Sequence, residues 1–455
     1  MAAVIVGTVG TAAPLGAEPK TLDAAQDNPP GCTTASAEED DGCGAQGRDH
    51  FGDASHKAPI EACADVRSPA GSVVTRIIPD GPRRADGTLA FTSGVCIYLP
   101  PGYESSQLRY PVLYLLHGGG GDQGNWVTNG NLQATLDARI AADPRDAVIA
   151  VLPDGRSGQW YDSFDGRFLI ERYVLDHLLP YVDARLRTIP DRSARAIAGL
   201  SNGGYGAMHF AARRPDAFVA AGAMSSNMGA YGFKLGNQVN GPAYYPGHLP
   251  EELAINLDGV DLTMDIGASC TSDLTVDLCA TLAVDAAFIP ANRAFTDRLR
   301  AVGHVGDLEY RETEGSHAWR WWTAWLRDRH LPFLLARLRD PAADATPTSP
   351  LPASFRYRTI ADRFSVWGYD VEVTRGVREF LDLTNVTESG LTVQGSGTVV
   401  VTTATRYEPG SRYRVSGTGV DPFVLTSDEL GRLRLPIGLG PSHANEQYSP
   451  AARAA

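Results

Sequence analysis

The sequence predicts an α/β fold with a mostly parallel sheet, followed by a small all-β domain. Three observations carry this. Between residues 71 and 340, short apolar runs of strand length alternate with segments of helical apolar spacing. The stretch 341–352 is rich in proline among Ala, Asp, Thr and Ser, as in a linker. Over 353–446, short runs rich in β-branched and aromatic residues recur with turn residues between them, the pattern of a β-sandwich.

A chain of 455 residues suits one large and one small domain. Its 43% hydrophobic and 20% charged residues are ordinary for a globular protein. The formal net charge of -13 argues against nucleic acid as a partner, because a polyanion would be repelled. No apolar run reaches the roughly 18 residues that a membrane span needs.

Residues 1–17 are small and apolar, with no charge before Glu18, and Leu15-Gly16-Ala17 has the small-x-small form of a cleavage site. They predict a secretory signal segment and an extracellular protein, although a basic n-region is missing. The lead-in 18–70 has little periodicity and reads as irregular. Six cysteines, none in a C-x-x-C pair, fit disulfides of an exported chain better than a metal site. Proximity in sequence suggests Cys32–Cys43, Cys63–Cys96 and Cys270–Cys279.

In the first domain, 72–78 and 89–98 read as antiparallel strands joined by an Asp/Gly-rich loop. Strands buried on both faces are expected at 112–116 and 147–152, where the apolar runs are continuous rather than alternating, and further strands at 194–199, 218–224, 262–267 and 308–312. Helices are expected at 168–186, 203–213, 292–302 and 319–338. The Gly-, Asn- and Tyr-rich segment 226–258 fits neither pattern and reads as a lid or substrate-binding insertion.

Gly199-Leu200-Ser201-Asn202-Gly203 has the G-x-S-x-G form and follows an apolar strand. A serine at the tip of so sharp a strand-to-helix turn is strained, and side chains two positions either side would collide. The pattern resembles the nucleophile elbow of the α/β-hydrolase fold, which makes Ser201 the expected nucleophile. The expected base is His317, in Gly315-Ser316-His317-Ala318-Trp319, just after the last strand. His117, at the end of the first buried strand, reads as a turn-shaping residue. The acid should follow the fifth strand, and Asp285 is favoured over Asp273 because the latter lies in an extra loop between Cys270 and Cys279. An oxyanion hole needs two donors, and the backbone N–H groups of Asn202 and Gly119 are the expected pair. Gly119 lies in the run His117-Gly118-Gly119-Gly120-Gly121.

The stretches Tyr114-Leu115-Leu116-His117-Gly118-Gly119, Trp160-Tyr161-Asp162, 198–207 and 315–319 together resemble the esterase D-like group, which includes feruloyl esterases and mycolyltransferases. The resemblance covers about residues 85–340 and implies ester hydrolysis or acyl transfer through a serine. The mycolyltransferase acid precedes a Phe and an Asn, as Asp285 precedes Phe288 and Asn292, but it is a Glu. Those enzymes also lack the Gly-rich run after the first strand.

The leading expectation is a serine carboxylester hydrolase acting on a small or polymer-linked ester through an acyl-enzyme, with no cofactor and no metal. The alternatives are an acyltransferase and a polysaccharide- or cell-wall-binding protein with a vestigial hydrolase domain. Trp367, Tyr369, Tyr407 and Tyr413 could line a sugar-binding face or fill the core of the β domain. Asn385-Val386-Thr387 matches a glycosylation acceptor, although Asn385 reads as a turn residue. His50 and His56, near Asp49 and Asp53, carry little metal signal in an irregular segment.

Overall fold

In this computed structural model the described residues are 2–9 (backbone only), 63, 66–77, 79–83, 86–89, 92–155, 160–163, 169–229, 244–270, 281–338 and 351–446. Strands are numbered from the N-terminus, with β1 at Ala2–Val9. Two units divide the chain. One holds 23–235 and 259–349, and the other holds 1–22, 236–258 and 350–455.

Among the described residues, the first unit has one nine-stranded sheet. Its strands are β2 (Val66–Arg67), β3 (Val73–Ile77), β4 (Val95–Leu99), β5 (Val112–Leu116), β6 (Ile149–Pro153), β7 (Arg195–Leu200), β8 (Ala220–Met224), β9 (Asp261–Ser269) and β10 (Leu308–Glu314). Their order is β10-β9-β8-β7-β5-β6-β4-β3-β2. β5 to β10 run parallel, while β2, β3 and β4 form an antiparallel edge. Every residue of β4 to β8 is buried, which is why their sequences are apolar apart from Arg195, whose guanidinium pairs with Asp183.

The helix Asn202–Arg213 follows β7, and its small residues let it sit close against the sheet. A Cβ on Gly203 would lie 2.4 Å from the carbonyl oxygens of Leu116 and His117, so only glycine admits this approach. Residues 170–185 are helical with a π-turn at Tyr173–Leu178. Trp319–Trp325 and Leu331–Leu335 likewise flank a π-turn at Leu326–His330. Helix Leu132–Ala142 was not expected, because its apolar residues mark no sustained stripe. The helix expected at 292–302 begins ten residues earlier and spans Leu282–Ala301. Its added turns are mostly Ala, Val and Leu, and Pro290 is accommodated inside it.

Cys63 bonds to Cys96 in β4, as sequence proximity suggested. Cys270 is also disulfide-bonded. Cys279, Cys32, Cys43 and the segment 49–56 lie outside the described residues.

The second unit is antiparallel throughout. Its strands are β1, β11 (Ser354–Thr359), β12 (Arg363–Val366), β13 (Tyr369–Thr374), β14 (Leu381–Thr387), β15 (Gly390–Gln394), β16 (Thr398–Thr402), β17 (Arg412–Gly417), β18 (Val420–Thr426) and β19 (Arg434–Gly438). Two sheets result, β11-β14-β15-β1-β17-β18 and β12-β13-β16-β19. Tyr369 and Tyr413 are buried in a shared core, whereas Trp367 and Tyr407 are half-buried and pack against it. Asn385 has φ 49° at a β-bulge in β14, not in a turn.

Two further findings depart from the sequence reading. Residues 2–9, read there as part of a signal segment, pair between β15 and β17, with Ala2 opposite Val393 and Ile5 opposite Ser416. Residues 244–258, read as part of a lid, group with the β unit. The Asn256 side chain explains the second. Its Nδ2 donates to the Arg358 carbonyl at 2.9 Å and its Oδ1 accepts from the Arg358 N–H at 2.6 Å, so one amide serves as the ladder neighbour of β11. Arg356 pairs with Asp258 at 2.6 Å beside it. Residues 230–243 lie outside the described residues.

Candidate active site

Ser201 stands between β7 and the helix Asn202–Arg213, with φ 52° and ψ -122°. An L-residue held there costs about 1–3 kcal/mol, which the surrounding packing must over-determine. A Cβ on Gly199 would lie 2.3 Å from the Gly203 carbonyl oxygen. The two glycines of the motif are thus required because backbone meets backbone on both sides of the serine.

His317 lies in the loop after β10. Its Nε2 is 3.0 Å from Ser201 Oγ, and its Nδ1 is 2.7 Å from Asp285 Oδ1. The Phe288 and Trp322 rings meet the imidazole edge-on, with centroids 5.7 and 4.9 Å away. These contacts limit the ring to the orientation that reaches both partners.

Asp285 is fully buried in the first turn of Leu282–Ala301. Its Oδ2 accepts the Gly267 N–H at 3.0 Å and the Ser225 hydroxyl at 2.9 Å. A buried carboxylate needs such donors to offset its lost hydration. Ser225 itself has φ 47°, and its N–H donates to the Asp265 carbonyl at 2.7 Å. The Asp265 side chain is in turn ringed by Arg311, Arg329 and His330. Burial works to raise that carboxyl, but these partners prevail and hold it below the usual carboxylate range.

The glycine-rich loop after β5 lies against the elbow. A Cβ on Gly118 would be 3.2 Å from Ser201 Cβ, and one on Gly119 would be 2.8 Å from Asn202 Nδ2. Asn202 opens its helix, so its N–H has no partner one turn back.

The structure therefore brings together Ser201, His317, Asp285, Gly119 and Asn202, five residues named from sequence. Asp273 lies outside the described residues. Sequence reasoning missed Ser225 and Gly267. Their only signal is position, since each lies at the C-terminal end of a parallel strand, where sites gather in open α/β sheets.

The family described as "Putative esterase" matches residues 89–333. An esterase of Mycobacterium tuberculosis is 38% identical over 141 residues, 30% of this chain and 30% of that protein. An endo-1,4-beta-xylanase/feruloyl esterase of Xylanibacter ruminicola is 35% identical over 136 residues, 28% of this chain and 19% of that protein. The chain thus spans less than a third of the length of these curated relatives. A solved ferulic acid esterase aligns at 25% identity and TM-score 0.47, over 59% of this chain and 99% of that one. MPT51 of Mycobacterium tuberculosis aligns at 22% and 0.42, over 57% and 97%.

Proposed function

The chain belongs to this esterase family, and from that premise we propose that it is an extracellular serine carboxylester hydrolase working through an acyl-enzyme. The observation that carries the reading is the continuous hydrogen-bonded line from Ser201 Oγ through His317 to Asp285, with its distances of 3.0 and 2.7 Å.

In this mechanism Ser201 Oγ attacks the ester carbonyl as His317 Nε2 takes its proton. Asp285 holds the imidazole in the Nδ1–H tautomer and stabilises the imidazolium that forms. The carbonyl oxygen becomes an oxyanion and is met by the N–H groups of Gly119 and Asn202. His317 then returns the proton to the departing alcohol, leaving an acyl ester on Ser201. A water then attacks the acyl carbon as His317 Nε2 takes its proton, and the second oxyanion collapses by breaking the bond to Ser201 Oγ, to which His317 returns the proton as the acid product departs.

An alcohol in place of that water would make the same site an acyltransferase. Extracellular location rests on the Cys63–Cys96 bond and the bonded Cys270, since cytosolic reductants keep thiols reduced.

The test is hydrolysis of p-nitrophenyl esters of graded acyl length, with and without an added alcohol, by the native protein and by Ser201→Ala. Hydrolysis by the native protein alone supports the reading, and new ester formed from the alcohol shifts it to transfer. Equal rates from both proteins would exclude Ser201 as the nucleophile.

A further inference from the structure

We infer that His117 is a positioning residue for the oxyanion hole, turning the Gly118–Gly119 peptide so that the Gly119 N–H faces the reacting oxygen. The inference rests on the serine esterase reading above.

His117 is 1% exposed at the end of β5. The backbone N–H of Gly155 donates to its Nε2 at 2.9 Å. A backbone amide can only donate, so Nε2 presents its lone pair and the ring is neutral with its proton on Nδ1. Asp154 Oδ1, the carboxylate near that nitrogen, stands off at 3.5 Å. The Nδ1–H in turn donates to the Gly118 carbonyl at 2.7 Å. The Gly121 N–H reaches the same oxygen at 3.1 Å.

The consequence follows from peptide geometry. No described peptide bond is cis, and in a trans peptide the C=O and the following N–H point in opposite directions. A Gly118 carbonyl turned toward His117 therefore sends the Gly119 N–H the other way. Gly119 is the residue whose absent Cβ would meet Asn202.

The preceding carbonyls are tethered as well. Trp126 Nε1 donates to the Leu116 carbonyl at 3.1 Å, and Trp160 Nε1 donates to that of His117 at 3.2 Å. The Trp160 ring approaches within 2.7 Å of where a Cβ of Gly155 would be and 2.5 Å of where one of Gly206 would be, and its centroid is 5.0 Å from that of His117. Glycine places no limit of its own on this loop. Its shape must come from its neighbours, and His117 supplies a donor whose direction is fixed by its second bond, from the Gly155 N–H.

The test compares His117→Asn, which keeps a donor near the Nδ1 position, with His117→Leu, which is of similar size and has none. Rates are normalised to the sites that react to completion with a fluorophosphonate, so a merely unfolded fraction drops out. His117→Leu should lower kcat about 100-fold with little change in KM, as for loss of one oxyanion donor. Its affinity for a boronic acid, which forms a tetrahedral anion on Ser201, should fall by about the same factor. His117→Asn should stay within about tenfold of the native enzyme on both measures. Trp160→Phe, which removes only one tether, gives a smaller loss of the same kind should His117→Leu fail to fold.

Equal losses in the two His117 variants, or a loss confined to KM, would overturn the inference while leaving the esterase reading intact. A native protein that neither hydrolyses esters nor takes up the fluorophosphonate removes both.

Discussion

Ser225 Oγ donates to Asp285 Oδ2 at 2.9 Å, on the carboxylate oxygen that His317 does not use. The acid is thereby gripped from behind by a residue whose own backbone lies in the left-handed region. Because Asp285 is fully buried, loss of that donor would be felt by the whole Ser201–His317–Asp285 line.

The first prediction follows directly. Ser225→Ala should lower kcat by about 10- to 100-fold, the kinetic equivalent of the roughly 1.5–3 kcal/mol of a hydrogen bond to a charged group. Asp285→Asn should cost more, about 10³- to 10⁴-fold, because it also disturbs the tautomer of His317. Steady-state kinetics on one short-chain ester checks both, and an unchanged kcat in Ser225→Ala would deny it a positioning role.

A second concerns pH. Burial pushes Asp162 up from 3.8 to about 7, against the opposing pull of Arg172. Between those values the folded state keeps a proton that the unfolded chain has released, so this contribution is full at low pH and is lost as pH rises through about 7. Burial lowers His209 from 6.5 to about 4, although Glu171 favours its charged form. This contribution is full above 6.5 and is lost as pH falls toward 4. The two slopes oppose each other. Asp162→Asn should leave a stability that rises with pH between about 4 and 6.5, and His209→Gln one that falls over much of that window. Each slope is up to about 1.4 kcal/mol per pH unit. Urea unfolding across that range measures both, and parallel profiles in the two variants would contradict the assignment.

The amide of Asn256 gives a third. Asn256→Ala leaves the Arg358 N–H and carbonyl without that partner. It should destabilise the β unit by about 1–3 kcal/mol. The unfolding transition of that unit should move, while ester hydrolysis normalised to reactive sites stays the same. A rate change without a stability change would mean that 244–258 acts on the catalytic unit instead.

The fourth uses the Cys63–Cys96 bond, which closes a sequence separation of 33 residues. Such a loop removes about 4 kcal/mol of chain entropy from the unfolded state. Cys63→Ser combined with Cys96→Ser should lower the Tm of the catalytic unit by several degrees, as calorimetry would show.

Much of the catalytic unit was legible in the chain. Strands buried on both faces are dominated by apolar residues, so β5 to β9 announced themselves within two or three residues even though β7 and β9 carry the buried Arg195 and Asp265. Ser201 was marked by the glycines that its tight turn demands, and His317 by its place after the last strand. Helix Leu132–Ala142 and the early start of Leu282–Ala301 were not, because their apolar residues mark weak or mixed faces.

By itself, then, the sequence determined the order of the parallel strands, the elbow and the chemical types at its centre. These are local matters, set by side-chain period, turn strain and residue type. Tertiary structure alone decided which donors grip Asp285, which way the Gly118 carbonyl faces and which unit receives 244–258. Each of these depends on groups distant in the chain meeting at hydrogen-bonding range: Ser225 with Asp285, Gly155 with His117 and Asn256 with Arg358. No local pattern encodes such meetings, because the partners share no period and no turn.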